Sequence, residues 1–122
     1  MAMYDRKTEE NLDCGIYVAA KVFGGKWKCC ILDAISRGIV RPVDIYNYIP
    51  DVSKRVIEMQ LAELLFYGVI ARHAEDTYPK KTEYRLTEVG KSSLPILALM
   101  EQWGLANSDA MKERLSELQN SD

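Results

Sequence analysis

Three thiols and one imidazole are the side chains best suited to nucleophilic, redox or metal chemistry in this 122-residue chain: Cys14, Cys29, Cys30 and His73. An odd number of cysteines, two of them adjacent, makes no disulfide framework. Free thiols of this kind fit a reducing compartment, so a cytoplasmic location is expected. No C-x2-C, paired histidine or H-E-x-x-H occurs, and His73 lies far in sequence from every cysteine, so no metal site is expected. Ser92-Ser93 has no G-x-S-x-G context and no partnering base, and there is no P-loop. These absences argue against an enzyme and call for no cofactor. Cys14 stands between the acidic Asp13 and the start of an apolar segment, where charge and helix end pull its reactivity in opposite directions.

The remaining polar chemistry is cationic. Lys and Arg number 16 against 18 Asp and Glu, a net charge of −2, which excludes a uniformly basic polyanion binder. The charge is nevertheless unevenly spread. Residues 26–57 hold Lys26, Lys28, Arg37, Arg41, Lys54 and Arg55 against Asp33, Asp44 and Asp51, a local charge of +3. Residues 1–13 carry −2 and residues 101–122 carry −3. A basic middle between acidic ends suits contact with a polyanion through one segment only.

The elements that position these groups follow from hydrophobic period and turn chemistry. The length favours one domain, and 48% apolar residues exclude disorder along the whole chain. The longest strongly apolar run, Leu94 to Met100, falls well below the roughly 20 residues that span a bilayer, and residues 1–13 lack the apolar region of a signal peptide. No membrane partner is expected. Residues 15–23 read as a short helix ended by Gly24-Gly25. Trp27, Cys30, Ile31, Ala34 and Ile35 form an apolar stripe of helical period, so Cys30 reads as packing, Cys29 is left unassigned, and Lys26 and Lys28 read as solubilising flanks of a core Trp27.

Pro42 suits the first turn of a helix that Pro50 ends. After a tight turn Ser53 is an N-cap, and a second helix runs to Tyr67 with Ile57, Leu61, Leu64 and Leu65 inward and Gly68 as its stop. Two helices joined in this way make a helix-turn-helix unit. Residues 69–74 and 82–86 read as strands around a polar loop, a β-hairpin wing directly behind it. His73 in the first of these strands reads as structural. Thr87 caps a long helix in which Pro95 bends the chain or delays the regular start, and an amphipathic tail follows around Met111, Leu115 and Leu118. The expected fold is mainly α with a small β-hairpin wing.

Four stretches in this order carry a family likeness: Cys14 before the first helix; Gly24-Gly25-Lys26-Trp27-Lys28; Ser53 opening a helix that contains Leu61-Ala62-Glu63-Leu64; and Tyr78-Pro79 followed by Glu83-Tyr84-Arg85-Leu86-Thr87-Glu88-Val89-Gly90. Together with Leu94-Pro95 and Trp103-Gly104 they span about residues 14–104. The chain resembles the HxlR-type winged helix-turn-helix transcriptional regulators, a branch of the MarR-like repressors and activators. The resemblance implies a homodimer on a pseudo-palindromic double-stranded DNA operator, with helix 53–67 in the major groove and the wing on the adjacent backbone. It also implies that the cysteine at position 14 senses oxidants or electrophiles in some relatives. Gly15 stands where many relatives have proline, and Glu58-Met59-Gln60 where relatives often carry Thr-Gln-Arg, which alters the operator rather than the architecture.

The residues then sort into expected roles. Ser53, Lys54, Arg55, Glu58 and Met59 face outward on the second helix, with Lys54 and Arg55 in a first turn that favours phosphate and Arg55 able to fork onto guanine. Arg41 and the wing residues Lys80, Lys81 and Arg85 are expected on phosphates, where they position rather than specify. Residues 1–13 are expected as a polar arm, 14–104 as the winged helix-turn-helix domain and 105–122 as a dimerisation helix. Leu97, Met100, Trp103, Met111, Leu115 and Leu118 are the expected dimer contacts. The expected activity is that of a repressor responsive to a small-molecule or oxidant effector. The alternative is a protein-interaction module with little DNA affinity.

Overall fold

The computed structural model describes residues 12–76, 78, 79 and 81–120. Residues 1–11 of the expected polar arm, and Lys80 of the wing, lie outside the described residues. The chain divides into two compact units, residues 1–92 and 93–122.

The first unit carries α1 (Gly15–Phe23), α2 (Lys28–Ser36), α3 (Pro42–Tyr48), α4 (Lys54–Phe66), β1 (Ile70–Ala74), β2 (Thr82–Leu86) and α5 (Glu88–Ser92). Its core is made by α2, α3 and α4. Ile31 and Leu32 of α2, Ile45 of α3, and Ile57, Leu61 and Leu64 of α4 are the fully enclosed side chains. Each contributes about 1.5–3 kcal/mol of burial, enough to hold three short helices that would not persist alone. Helix α1 differs: none of its residues is buried, although it is almost wholly apolar.

Turn chemistry sets the order of these helices. Gly25 takes φ +94° between α1 and α2, a left-handed conformation that side chains disfavour. Pro42 opens α3 behind the N-cap Arg41. Between α3 and α4 the non-glycine Asp51 takes φ +62°, which its short polar side chain tolerates. Ser53 Oγ then accepts a hydrogen bond from the Val56 N–H at 3.2 Å, capping α4.

The hairpin is antiparallel, with Ile70 opposite Leu86, Arg72 opposite Tyr84 and His73 opposite Glu83. Only Ile70 of β1 is buried, so β1 is the outer strand of the wing, while the mostly half-buried β2 packs against α2 and α3. Tyr84 N–H donates to the Val40 carbonyl at 2.8 Å, which fixes the chain just before Arg41 along the hairpin. At the wing's root Thr87 makes a compact knot. Its Oγ1 donates to the Gly68 carbonyl at 2.7 Å, its N–H donates to the Val69 carbonyl at 3.1 Å, and its Oγ1 accepts from the Gly90 N–H at 3.1 Å.

The second unit is α6 (Leu94–Asn120), one uninterrupted helix of 27 residues with no buried residue among them. Thr87 therefore caps the five-residue α5 and not one long helix. Pro95 accounts for the break, since its ring clashes with the carbonyl four residues earlier and its nitrogen has no proton to donate. Both are harmless in the first turn of α6.

Two sequence expectations need correcting. Cys30 is exposed, not part of the packed stripe, and Lys28 is buried, not a solubilising flank. The inward face of α2 is Lys28, Ile31, Leu32, Ala34 and Ile35, a stripe turned away from Trp27 and Cys30. Lys28 tolerates this place because its Nζ meets Glu63 Oε2 of α4 at 2.8 Å.

Candidate nucleic-acid interface

Helix α4 buries Ile57, Leu61 and Leu64 and leaves Lys54, Arg55, Glu58, Met59 and Ala62 exposed, with Lys54 and Glu58 on the flank toward α3. Ser53 fixes its N-terminus through the cap, and Lys28 fixes its middle through Glu63. The exposed face is therefore carried on a helix held at two points along its length. Rigid support of this kind keeps side chains in one geometry before a ligand arrives.

The outward side chains are differently engaged. Lys54 Nζ sits 5.7 Å from the centroid of the Tyr46 ring of α3, within the range of a cation–π contact. Arg55 and Glu58 make no hydrogen bond or ion pair among the described residues. Pro42, Val43, Tyr46, Lys54, Ile57 and Glu58 line a hollow of about 190 Å³ between α3 and α4. Arg41, the N-cap of α3, is half-buried at the edge of this surface.

The wing adds Lys81, exposed, and Arg85, whose Nη2 lies 2.6 Å from Glu83 Oε2 on the same strand. Arg85 is thus tied to a carboxylate, a feature hidden in sequence because the two residues are simply alternate positions of a strand. Arg72 is also exposed on β1, but its pairing with Tyr84 puts it on the other face of the hairpin from Arg85, which pairs with Ala71. Lys81 is anchored through its backbone, its carbonyl accepting from the Glu75 N–H at 3.0 Å.

The thiols are spread over two helices. Cys14 is the exposed N-cap of α1, and its side chain makes no capping bond. Cys29 is half-buried, with Sγ donating to the Phe23 carbonyl at 3.4 Å. Burial and the neighbouring Cys30 push the Cys29 thiol pKa up, while Lys28 acts in the opposite direction. No group of three or more His, Cys, Asp or Glu that suits a metal ion occurs among the described residues. No helix among them is long and apolar enough to cross a membrane.

On α6, Met100, Trp103, Met111, Leu115 and Leu118 are exposed and Leu97 is half-buried. Leu97, Met100, Met111, Leu115 and Leu118 fall along one stripe at helical spacing, with Gly104 and Asn107 between them.

Known proteins share this arrangement. The family profile described as HxlR-like helix-turn-helix matches residues 22–119. An HTH-type transcriptional regulator of Methanothermobacter thermautotrophicus is 38% identical over 100 residues, covering 82% of this chain and 76% of its own. YkvN of Bacillus subtilis, also an HTH-type transcriptional regulator, is 35% identical over 95 residues, covering 78% of this chain and 80% of its own. Among solved structures, the redox regulator HypR in its reduced form superposes with a TM-score of 0.76 at 31% identity, covering 82% of this chain and 99% of that one. The reduced form of the B. subtilis regulator YodB gives a TM-score of 0.66 at 26% identity, covering 75% and 90%. Hairpin wing, helix-turn-helix core and these matches agree: the chain belongs to the HxlR-like helix-turn-helix family and is a winged-helix, DNA-binding transcriptional regulator, not an enzyme.

Proposed function

We propose that the protein is a homodimeric repressor, acting in the cytoplasm on a pseudo-palindromic operator, whose occupancy falls when Cys14 reacts with an oxidant or electrophile. Helix α4 enters the major groove through Ser53, Lys54, Arg55, Glu58 and Met59. Arg41, Lys80, Lys81 and Arg85 hold the flanking phosphates. Residues 14–104 act as the DNA-binding part and 105–122 as dimerisation helix, joined by Leu97, Met100 and Trp103.

The observation that carries this reading is the outward face of α4, where Arg55, in the first turn of a capped helix, has no ion-pair partner among the described residues. A helix N-terminus with adjacent cations favours phosphate, and a free guanidinium has the geometry to fork onto guanine. The dimer is supported by α6, on which Met100, Trp103, Met111, Leu115 and Leu118 are all exposed. Isologous pairing of two such helices would bury those side chains and set the two α4 helices about 34–36 Å apart, one turn of DNA. Thiol control is supported by the exposure of Cys14 and by the likeness to the redox regulator HypR.

The test is binding of the DNA upstream of the protein's own gene, titrated across salt concentrations. Phosphate contacts make log K fall linearly with log salt, with a slope of about −0.9 per contact. Arg55→Ala is expected to weaken specific binding and relax the preference at one position per half-site. In parallel, sedimentation is expected to give twice the chain mass, and Trp103→Glu to reduce it. Undetectable binding with no salt response favours the second reading, a protein-interaction module, for which the acidic Glu58 on the same face is the motivating observation.

A further inference from the structure

The outward face of α4 contains one group that a DNA backbone repels. Glu58 is exposed there, one turn beyond Arg55, and its carboxylate makes no ion pair or hydrogen bond among the described residues. The obvious neutralising partner is Lys54, four residues earlier on the same side of the helix. Lys54 Nζ instead lies over the Tyr46 ring at 5.7 Å, and no ion pair joins it to Glu58. Both side chains line the hollow between α3 and α4, at the flank of the exposed face, and no ion pair or hydrogen bond joins them.

An ionised carboxylate is an acceptor only, with several lone-pair sites to fill. Phosphates offer it nothing. In the major groove the base-edge donors are the N4 amine of cytosine and the N6 amine of adenine. Adenine sets its own N7 acceptor next to N6, so a second carboxylate oxygen would face a lone pair. Cytosine has a carbon, C5, in the corresponding place. The chemistry therefore selects cytosine. Arg55 and Glu58 are three residues apart, so their side chains leave the same face about 5–6 Å from one another. That separation is between one and two base-pair steps of about 3.4 Å along the groove.

We propose that Glu58 is a specificity-determining residue, accepting a hydrogen bond from the N4 amine of a cytosine within two base pairs of the guanine read by Arg55. This inference rests on the operator reading of α4 given above and names a base that the reading leaves open. It also assigns the carboxylate a second effect. On random duplex its charge opposes phosphate, so Glu58 lowers non-specific affinity while raising discrimination. Tyr46 supports both effects by keeping Lys54 from closing an ion pair across the face.

The experiment enriches a random double-stranded library on the purified full-length chain at fixed salt, in parallel for the wild type, Glu58→Gln and Glu58→Ala. The wild type is expected to enrich a cytosine within two positions of the guanine that Arg55→Ala erases. Glu58→Gln is expected to move that preference to adenine, whose N6 and N7 a carboxamide matches. Glu58→Ala is expected to flatten it and to bind random duplex more tightly. Replacing the cytosine by thymine in the enriched site is expected to weaken the wild type about tenfold and the alanine variant less than about twofold. Glu58 is exposed, so both variants retain the fold, which circular dichroism verifies. Enrichment of one site with the same base preference in all three proteins overturns the cytosine assignment alone. A wild type that enriches no site overturns the operator reading and this inference with it.

Discussion

Lys28 Nζ and Glu63 Oε2 meet at 2.8 Å, with side-chain exposures of 10% and 20%, and so join the inner face of α2 to the middle of α4. A pair this enclosed has lost most of its hydration. Its worth lies less in the attraction than in what is left behind when one partner goes. The fully enclosed contacts of α4, through Ile57, Leu61 and Leu64, are apolar and non-directional, whereas an ion pair of this length is directional.

Lys28→Met is expected to lower the unfolding free energy by about 2–4 kcal/mol, because Glu63 is left partly buried and unpaired. Lys28→Met combined with Glu63→Leu is expected to recover most of that loss. Urea unfolding of the two variants at one fixed protein concentration checks both. A double-variant loss equal to the sum of the losses of Lys28→Met and of Glu63→Leu measured alone would show that the pair carries no coupling.

Ser53 separates capping from DNA contact. Ser53→Ala is expected to cost about 1 kcal/mol of stability through loss of the bond from Val56 N–H. Ser53→Asp restores an acceptor and is expected to keep the stability while weakening operator binding, since it sets a negative charge beside phosphate. Thermal unfolding and DNA titration on the same two variants distinguish these effects.

On the wing, Glu83 holds Arg85 at 2.6 Å and so, on the proposed reading, competes with phosphate for that guanidinium. Glu83→Gln is expected to raise operator affinity by up to about fivefold, the equivalent of a surface ion pair near 1 kcal/mol. Lys81→Ala is expected to reduce the salt slope by about 0.9 for every phosphate contact it makes. A slope unchanged by Lys81→Ala would remove Lys81 from the phosphate contacts.

The cysteines are expected to react in a set order. At neutral pH iodoacetamide should label Cys14 and Cys30 well before Cys29, whose thiol burial holds in the protonated form. A thiol pKa raised by folding also means that its contribution to stability is complete below the ordinary thiol range and disappears as pH rises through the folded value. Labelling followed by peptide mass spectrometry gives the order. Cys14→Ser is expected to abolish release of DNA by diamide, and release that persists in this variant assigns the response elsewhere.

Much of the fold was legible because local rules decide it. Gly24-Gly25, Pro42, Ser53 and Gly68 punctuate the chain, and α1 and β2 run over the residues that period and turn chemistry predict. The face of α2 was not legible. Trp27 and Cys30 are apolar in type and drew the stripe toward themselves, whereas Lys28 is buried only because Glu63, 35 residues later, meets it. The i, i+3, i+4, i+7 spacing of Lys28, Ile31, Leu32 and Ile35 was the available signal, and residue type overrode it. The interface was legible as a list of outward residues and not as a set of engagements. Lys54 over Tyr46 and Arg85 on Glu83 are decided by side-chain placement across elements and along the wing, about which a linear pattern says nothing.

The knot of hydrogen bonds around Thr87 has a consequence for the DNA. It fastens the carbonyls just beyond α4 to the point where the wing returns to the core. Helix α4 and the hairpin are thereby fastened at a common root, which on the proposed reading limits how far the span between them can change. If α4 and the wing both engage one operator half-site as proposed, a mismatch between that span and relaxed B-DNA falls largely on the duplex, through local roll, twist or groove width. Base pairs that touch no side chain would then contribute through their flexural cost, and easily deformed steps such as TA and CA between helix and wing would be favoured in the operator.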